Sequence, residues 1–544
     1  MTSKGMQNVS VWFWIMTASK QPGGSGRGNI GVASVHIPDR PECWVCGGFM
    51  KSNGKNLWAC TSKECGKKMK KQPNRISQHH KQPPAGYDIA SATAYARKCE
   101  KPKRILVTSA QHNTPIHEGF FKSLKQAAKH YGCEIAAIPS HYKNITLFSS
   151  KEKKKWADDI EPYLVATDIE FGNVLIKSDV RINATTLWPL AGKQAHGGTH
   201  SVVFGHPQVA CEPIASPGGV LPKKLYTTGS ITIPNYSQTN DGMKAEFHHV
   251  IGALIIEKYK DVCFVRQLNA LDDGSFYDLD VLFAPKGIKT GQRALSLTTG
   301  DEHELWNIVK KETYTNKDSI VKTLRPEYIV RHDILDCYAL SHHHEKDPMI
   351  QFQKHHNGLN NIRAELDRVV RFINETTPKE SKTLIVPSNH HDHLLKALNR
   401  LSPNTDHANA IFIAEMQADM RKAALSGGKY DPFYLYLAPR LTCKHEFLDR
   451  NKPYMVGGVD MSQHGDIGTN GSKGAARGLA KTTLKMTIGH SHGGRIMQGV
   501  FQAGSSTGRL EYESGLSDHA PCHVLQYQGG KRTLIDIING RWKL

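Results

Sequence analysis

Five short segments rich in carboxylate, amide and imidazole groups follow one another in the C-terminal half of the chain. They are Asp301-x-His303, His332-Asp333-x-x-Asp336, Asn389-His390, His464-Gly465 and Gly489-His490-Ser491-His492. Three of them directly follow a short apolar run: Arg293 to Thr298 before Asp301, Tyr328 to Val330 before Asp333, and Thr383 to Val386 before Asn389. A helical pattern through Leu359, Ile362, Leu366, Val369, Val370 and Ile373 separates two of the runs. The rhythm is therefore strand, polar turn, helix, strand, polar turn, and it constrains the fold more than any other feature. Polar groups at successive strand ends converge only if the strands share a sheet and a direction, which is the arrangement that places ligands at strand C-termini in α/β folds.

The residue types suit divalent cations. Asp301 and His303 flank one residue, so both reach one ion from a single turn. Asp333 has two oxygens and can serve two ions, Asn389 offers a neutral amide oxygen, and His464, His490 and His492 offer imidazole nitrogens. A mixed oxygen and nitrogen set without thiolate suits Mn²⁺, Mg²⁺, Fe²⁺ or Zn²⁺ better than a soft metal. Two such ions about 3.5–4 Å apart are the usual apparatus of phosphoester hydrolysis. His390, next to Asn389, would then meet the scissile phosphate and stabilise its charge or protonate the leaving oxygen. The chain has 29 histidines, so adjacent pairs arise by chance; His79-His80, His248-His249 and His355-His356 are given no role.

A second cluster lies near the N-terminus, where Cys43-x-x-Cys46 is followed by Cys60 and Cys65. Four thiolates close a tetrahedral Zn²⁺ site with no open position, so the expected role is structural. A module this small has no core, and its folding energy would come from the metal. The other seven of the eleven cysteines show no paired spacing, which fits a reducing compartment better than a disulfide framework. Lys51, Lys55, Lys63, Lys67, Lys68, Lys70 and Lys71, with Trp44 and Trp58, make this module basic and aromatic. Contact with nucleic acid is one use of such a surface, and contact with a protein is the other.

The formal net charge of +20 over 544 residues, with a pI near 9.3, favours a polyanionic partner such as DNA. Val9 to Met16, the longest apolar run near the start, is far too short to span a bilayer. It reads as a buried strand or an oligomer contact, with no membrane insertion expected. The expected organisation is an N-terminal segment over 1–40 with a flexible Gly23-Gly24-Ser25-Gly26 stretch, the cysteine module over 41–68 and a basic linker over 69–83. An accessory α/β region follows over 84–290, and a catalytic region over 291–544. Within the accessory region, Arg104 to Ser109 and Glu134 to Pro139 read as strands around a helix from Gly119 to Tyr131, and 163–290 reads as strand-rich.

The ordered series resembles the calcineurin-like metallophosphoesterase family over about residues 290 to 544. The resemblance implies a β-sandwich of two mixed sheets flanked by helices, beside a zinc-ribbon-like module and the accessory region. It implies one metal on Asp301, His303, Asp333 and His492, and another on Asp333, Asn389, His464 and His490. It also implies a substrate-contacting role for His390. The pattern departs from the family where His332 replaces a glycine before Asp333, and where the acidic residue after the Asn-His pair is Asp392 rather than residue 391. His332-Asp333-Ile334-Leu335-Asp336, His342-His343, Pro387-Ser388-Asn389-His390-His391-Asp392 and the tail Ile538-Asn539-Gly540-Arg541-Trp542 resemble a phage-encoded branch. That branch implies Mn²⁺-dependent degradation of host DNA in a bacterial cytoplasm, by a homo-oligomer, with Mg²⁺ as the second choice of metal. Asp336, His342 and His343 are expected as supporting residues. Two other functions use the same features: a phosphatase for phosphoproteins or small phosphoesters, and a non-catalytic DNA-binding protein of host takeover.

Overall fold

The computed structural model describes residues 103–142 and 155–544, together with the backbone of 50–52 and 58–60. The chain divides into two compact units, Met1–Gln82 and Pro83–Leu544. In the first, Met50–Ser52 and Trp58–Cys60 form an antiparallel hairpin that pairs Met50 with Cys60. Cys43, Cys46, Cys65, the Val9 to Met16 run and the basic linker lie outside the described residues, and Cys60 is described in its backbone alone.

The second unit begins with the expected strand–helix–strand. Strands Arg104–Gln111 and Glu134–Ser140 pair in parallel around the helix Glu118–Tyr131. That helix buries Phe120, Phe121, Leu124 and Ala127 on one face. His117 caps its start by accepting from Phe120 N, and Gly132, in the left-handed region at φ 59°, ends it. Left-handed backbone at a helix end is where glycine is least costly. Strands Gly252–Tyr259 and Val262–Asn269 complete a four-stranded sheet.

Two larger mixed sheets position the polar turns. The six-stranded sheet runs in the order His445–Phe447, Lys382–Ile385, Tyr328–Arg331, Ser296–Thr298, Cys522–Gln526, Arg532–Asp536. The first four strands are parallel and the last two antiparallel. Side chains alternate across a strand, and the two faces bury different partners. Leu297, Ile329, Ile385, Leu525 and Ile535 pack with residues of helices Ile362–Thr376, Asn389–Arg400 and Ala410–Leu425. Val330 and Leu384 pack with Val456, Val459 and Met461, while Val524 and Leu534 pack with Cys211, Ile496 and Phe501, all on or beside the second sheet.

The second sheet has ten strands, and it crosses residue 290. Strand Arg495–Met497 pairs with Cys211–Ile214 through Ile496 and Cys211, so half the sheet comes from 169–227 and half from 455–502. The sequence reading placed a border there; the strands pair across it because edge pairing depends on unpaired backbone groups and not on local sequence. A buried Lys224–Asp536 ion pair further joins the two large sheets. Two expected elements start later than their apolar pattern. The strand before Asp301 is only Ser296–Thr298, and the helix expected from Leu359 begins at Ile362, where Asn361 caps it by accepting from Ala364 N. Among the described residues no helix is long and apolar enough to cross a membrane.

Candidate metal centre

The polar turns all follow the C-terminal ends of strands. Asp301 and His303 follow Ser296–Thr298, Asp333 follows Tyr328–Arg331, and Asn389 opens the helix after Lys382–Ile385. His490 and His492 follow Met486–Ile488, and His464 follows Val459–Asp460, which runs parallel to it. Two backbone bonds stitch the first two turns together, Glu302 N to His332 O at 2.9 Å and His303 N to Asp333 O at 2.7 Å. The intervening side chains do the same underneath. Arg331 is buried against Glu302 at 2.9 Å and also donates to Thr376 and Thr383, while the Tyr314 hydroxyl donates to Glu302.

His303, Asp333, His490 and His492 all adopt positive φ, at 33°, 41°, 75° and 46°. Such conformations are costly for residues with a Cβ and cluster where function over-determines them. Gly489 has a steric reason to be glycine: a Cβ there would sit 2.3 Å from Asp301 Oδ1 and 3.0 Å from His332 Cγ.

Asp301, His303 and His492 bring one ligand atom each within 4.8 Å of one another, and so do Asp333, His464 and His490. Asp301, His332 and His464 form a further group of this kind, so His464 lies between the first two. Asp301 Oδ2, His303 Nε2, Asp333 Oδ1, Asn389 Oδ1 and His464 Nε2 are all buried without a hydrogen-bond partner. His464 Nε2 lies 3.0 Å from Asp333 Oδ2 and His492 Nε2 lies 3.4 Å from Asp301 Oδ2. Buried polar atoms are ordinarily paired. Five buried oxygen and nitrogen atoms without a hydrogen bond, on four turns, are what divalent cations require, and the donor set fits them.

Electrostatics point the same way. Burial alone would raise the Asp301 carboxyl, yet His492 and His464 hold it down to about 2. Asp333 is likewise held far below the usual carboxylate range against its burial, mainly by His464 and His390. Against burial, Asp333 and Asp301 raise His464 to about 9, and Asp301 and Glu513 raise His492 to about 10. Carboxylates that draw a proton onto neighbouring imidazoles in this way draw a metal cation equally.

The imidazoles of His303, His390, His464 and His492 are oriented from behind. His303 Nδ1 lies 2.8 Å from Asp336 Oδ1, and Trp306 Nε1 donates to the other oxygen. His390 Nδ1 is 2.9 Å from the Asp336 carbonyl. Asp392 instead accepts from Arg450, so Asp336 supports both His303 and His390. His332 stacks on His464 with Nδ1 atoms 3.1 Å apart, and burial drops His332 to about 3. A neutral His332 can accept a hydrogen bond from His464 Nδ1–H, and a cation would take the place of the Nε2 proton that faces Asp333. His492 Nδ1 is 2.8 Å from Glu513 Oε1, and His519 Nδ1 is 2.8 Å from Glu513 Oε2.

His342 and His343 are exposed, with tilted rings 3.9 Å apart; His342 reaches His393 at 5.4 Å, and His393 reaches His390 at 5.1 Å. Among the described residues neither joins a ligand group. The sequence reading gives His332 no role and does not mark Glu513 or His519. His332 stood beside Asp333 as a departure from pattern, which was a usable signal. Glu513 and His519 lie on a loop with no motif, and nothing local marks them.

No protein-family model matches the chain. Over 509 residues it is 29% identical to Protein A1 of Escherichia phage T5, an alignment covering 89% of this chain and 90% of that one. Similarity along nearly the whole of both chains makes them homologues. A crystal structure of a Vps29 single mutant from Entamoeba histolytica aligns with 32% of this chain and 99% of its own, at 13% identity and a TM-score of 0.18; that score is too low to bear on the fold.

Proposed function

We propose that this protein is a metal-dependent phosphodiesterase that cleaves DNA, acting in a phage-infected bacterial cytoplasm on the host's DNA. The observation that carries the reading is the convergence, from three strand-end turns, of Asp301, His303, Asp333 and His464, each with a buried ligand atom that lacks a hydrogen-bond partner. The +20 charge, the homologue in a phage and the resemblance of the ligand series to the calcineurin-like metallophosphoesterases support it. Asp301, His303, Asp333 and His492 would hold one divalent ion. Asp333, Asn389, His464 and His490 would hold the other, with Mn²⁺ favoured and Mg²⁺ the alternative on donor type. Such a pair supplies an activated water and neutralises the charge of the phosphate.

The remaining steps belong to the side chains. Asp336 fixes His390 through Nδ1, so Nε2 is the nitrogen left to meet the phosphate and to pass a proton to the departing oxygen. His332, Asp336 and Glu513 hold His464, His303 and His492 in the tautomers that present a lone pair inward. In the N-terminal unit, Cys43, Cys46, Cys60 and Cys65 would hold one structural Zn²⁺. The described hairpin follows the first cysteine pair in sequence and ends on Cys60. Self-association is proposed on family analogy.

The test is incubation of supercoiled and linear DNA with wild type and Asp333→Asn, in Mn²⁺, Mg²⁺ or EDTA. Cleavage that needs both the metal and Asp333 is expected. Turnover of a small aryl phosphate with DNA left intact would make the protein a phosphatase. Salt-sensitive DNA binding with no cleavage under any condition would make it a binding protein.

A further inference from the structure

The rings around the centre form one continuous row. His393 lies 5.1 Å from His390, His390 lies 4.7 Å from His303, His303 lies 5.5 Å from His492, and His492 lies 6.3 Å from Tyr512. The middle of the row is buried, and its two ends are open. At one end stand the exposed His342 and His343, beside His393. At the other stands Tyr512, which is 61% exposed.

An exposed aromatic on a slack loop would mean little, but Tyr512 is carried on a braced one. Its neighbour Glu513 is gripped through both carboxylate oxygens, by His492 and His519. Glu513 also accepts from Leu510 N at 3.0 Å, and its carbonyl accepts from Arg509 Nε at 2.7 Å. The brace therefore holds the backbone that carries the ring beside ligand His492 before any substrate arrives, so less ordering remains to be done on binding. A small phosphomonoester seated among the ligands would touch neither end of the row. A phosphodiester inside a polynucleotide would extend a nucleoside towards each.

We propose that Tyr512 is a base-stacking platform, which makes unpaired polynucleotide the substrate class of this centre. A face-on stack on Tyr512 needs a base whose face is free, so it selects single strands or frayed ends over intact duplex. His342, His343 and His393 lie where the flanking phosphate or sugar would pass and offer ring nitrogens to it. The inference rests on the phosphodiesterase reading above.

The experiment measures binding by fluorescence anisotropy in EDTA, so that it does not depend on turnover. The probes are a single-stranded oligonucleotide, the same strand with every base replaced by an abasic analogue, and a blunt duplex. Full-length wild type, Tyr512→Ala and Tyr512→Trp are compared. Wild type should prefer the base-bearing strand to the other two. Tyr512→Ala should weaken binding of that strand by about 5- to 150-fold, the range of one lost base–aromatic stack, with the abasic strand unaffected. Tyr512→Trp should keep the preference. Equal weakening of both strands by Tyr512→Ala, or no weakening of either, overturns the proposal. So does a wild type that binds abasic and base-bearing strands alike. Wild type that binds with the expected preference but leaves DNA uncut in Mn²⁺ would instead defeat the phosphodiesterase reading and keep Tyr512 as a base-binding residue.

Discussion

Two regions of the large unit bury charge to the same depth and treat it in opposite ways. In the four-stranded sheet, Arg266 is enclosed between Glu257 and Asp278, donating to Glu257 at 2.7 Å and to both oxygens of Asp278 at 2.7 and 2.9 Å. Arg104 completes Glu257, and the Tyr131 hydroxyl completes Asp278. At strand ends of the two large sheets, Asp301, His303, Asp333, Asn389 and His464 are as deeply buried or nearly so, yet each keeps an atom with no hydrogen-bond partner. Burial and charge alone therefore do not mark a site. The distinction lies in whether the lone pairs are used up inside the protein. Saturated networks hold the fold, and unsaturated ones that converge are held open for something else.

The comparison breaks most sharply by mutation. Arg266→Ala strands two carboxylates in the core, and loss of one member of a buried ion pair costs about 3–5 kcal/mol. Denaturant unfolding should show that loss, while turnover per folded molecule stays at the wild-type level. Asp301→Asn should give the mirror image. Activity on DNA should fall by roughly 10²–10³-fold, the scale of removing one group that stabilises developing charge. Its melting temperature in EDTA should fall less than that of Arg266→Ala, because His464 and His492 each keep a second carboxylate partner, Asp333 and Glu513. If the two variants exchanged phenotypes, orphaned atoms would have no diagnostic value here.

His332 sharpens the comparison, since it belongs to the open site but serves through a satisfied contact. His332→Leu removes the acceptor that sets the His464 tautomer. Metal affinity, read by titration calorimetry, should fall about 10- to 100-fold, as for other orienting partners of ligand imidazoles. Unchanged affinity would reduce His332 to a space-filler against Gly489. The same residue shows what was legible in the sequence. The turns carrying Asp301, His303, Asp333 and Asn389 could be read because each is a local polar cluster after a short apolar run, and those of His464, His490 and His492 because each is a local polar motif. The helix Glu118–Tyr131 was legible for the same reason, through its apolar face and the glycine after it. Long-range partners were not. Glu513 reaches His492 across 21 residues, from a loop with no pattern. The pairing of Ile496 with Cys211 spans the middle of the chain and is decided by which sheet edges meet. The Arg331–Glu302 pair was hidden for a third reason, because each residue looks like an ordinary surface charge until the fold removes it from water.

Acid should separate the two regions by the smallest but most continuous effect. Burial alone would raise Glu257, but Arg266 and Arg104, with the Leu544 N–H, lower its carboxyl from the ordinary 4.5 to about 2. A group depressed in the folded state contributes stability that is complete above its unfolded value and is lost as pH falls through its folded one. The contribution of Glu257 should therefore be constant above about pH 5, decline between about 4.5 and 2, and be gone below that window. Glu257→Gln should lower the melting temperature at neutral pH and flatten its decline over that interval, so that the wild-type and variant curves converge towards pH 2. The metal-site carboxylates titrate in both proteins and cancel from the difference. Parallel curves that never converge would mean that Glu257 stabilises by shape and hydrogen bonding without its charge, and the saturated network would then be no more electrostatic than the apolar core around it.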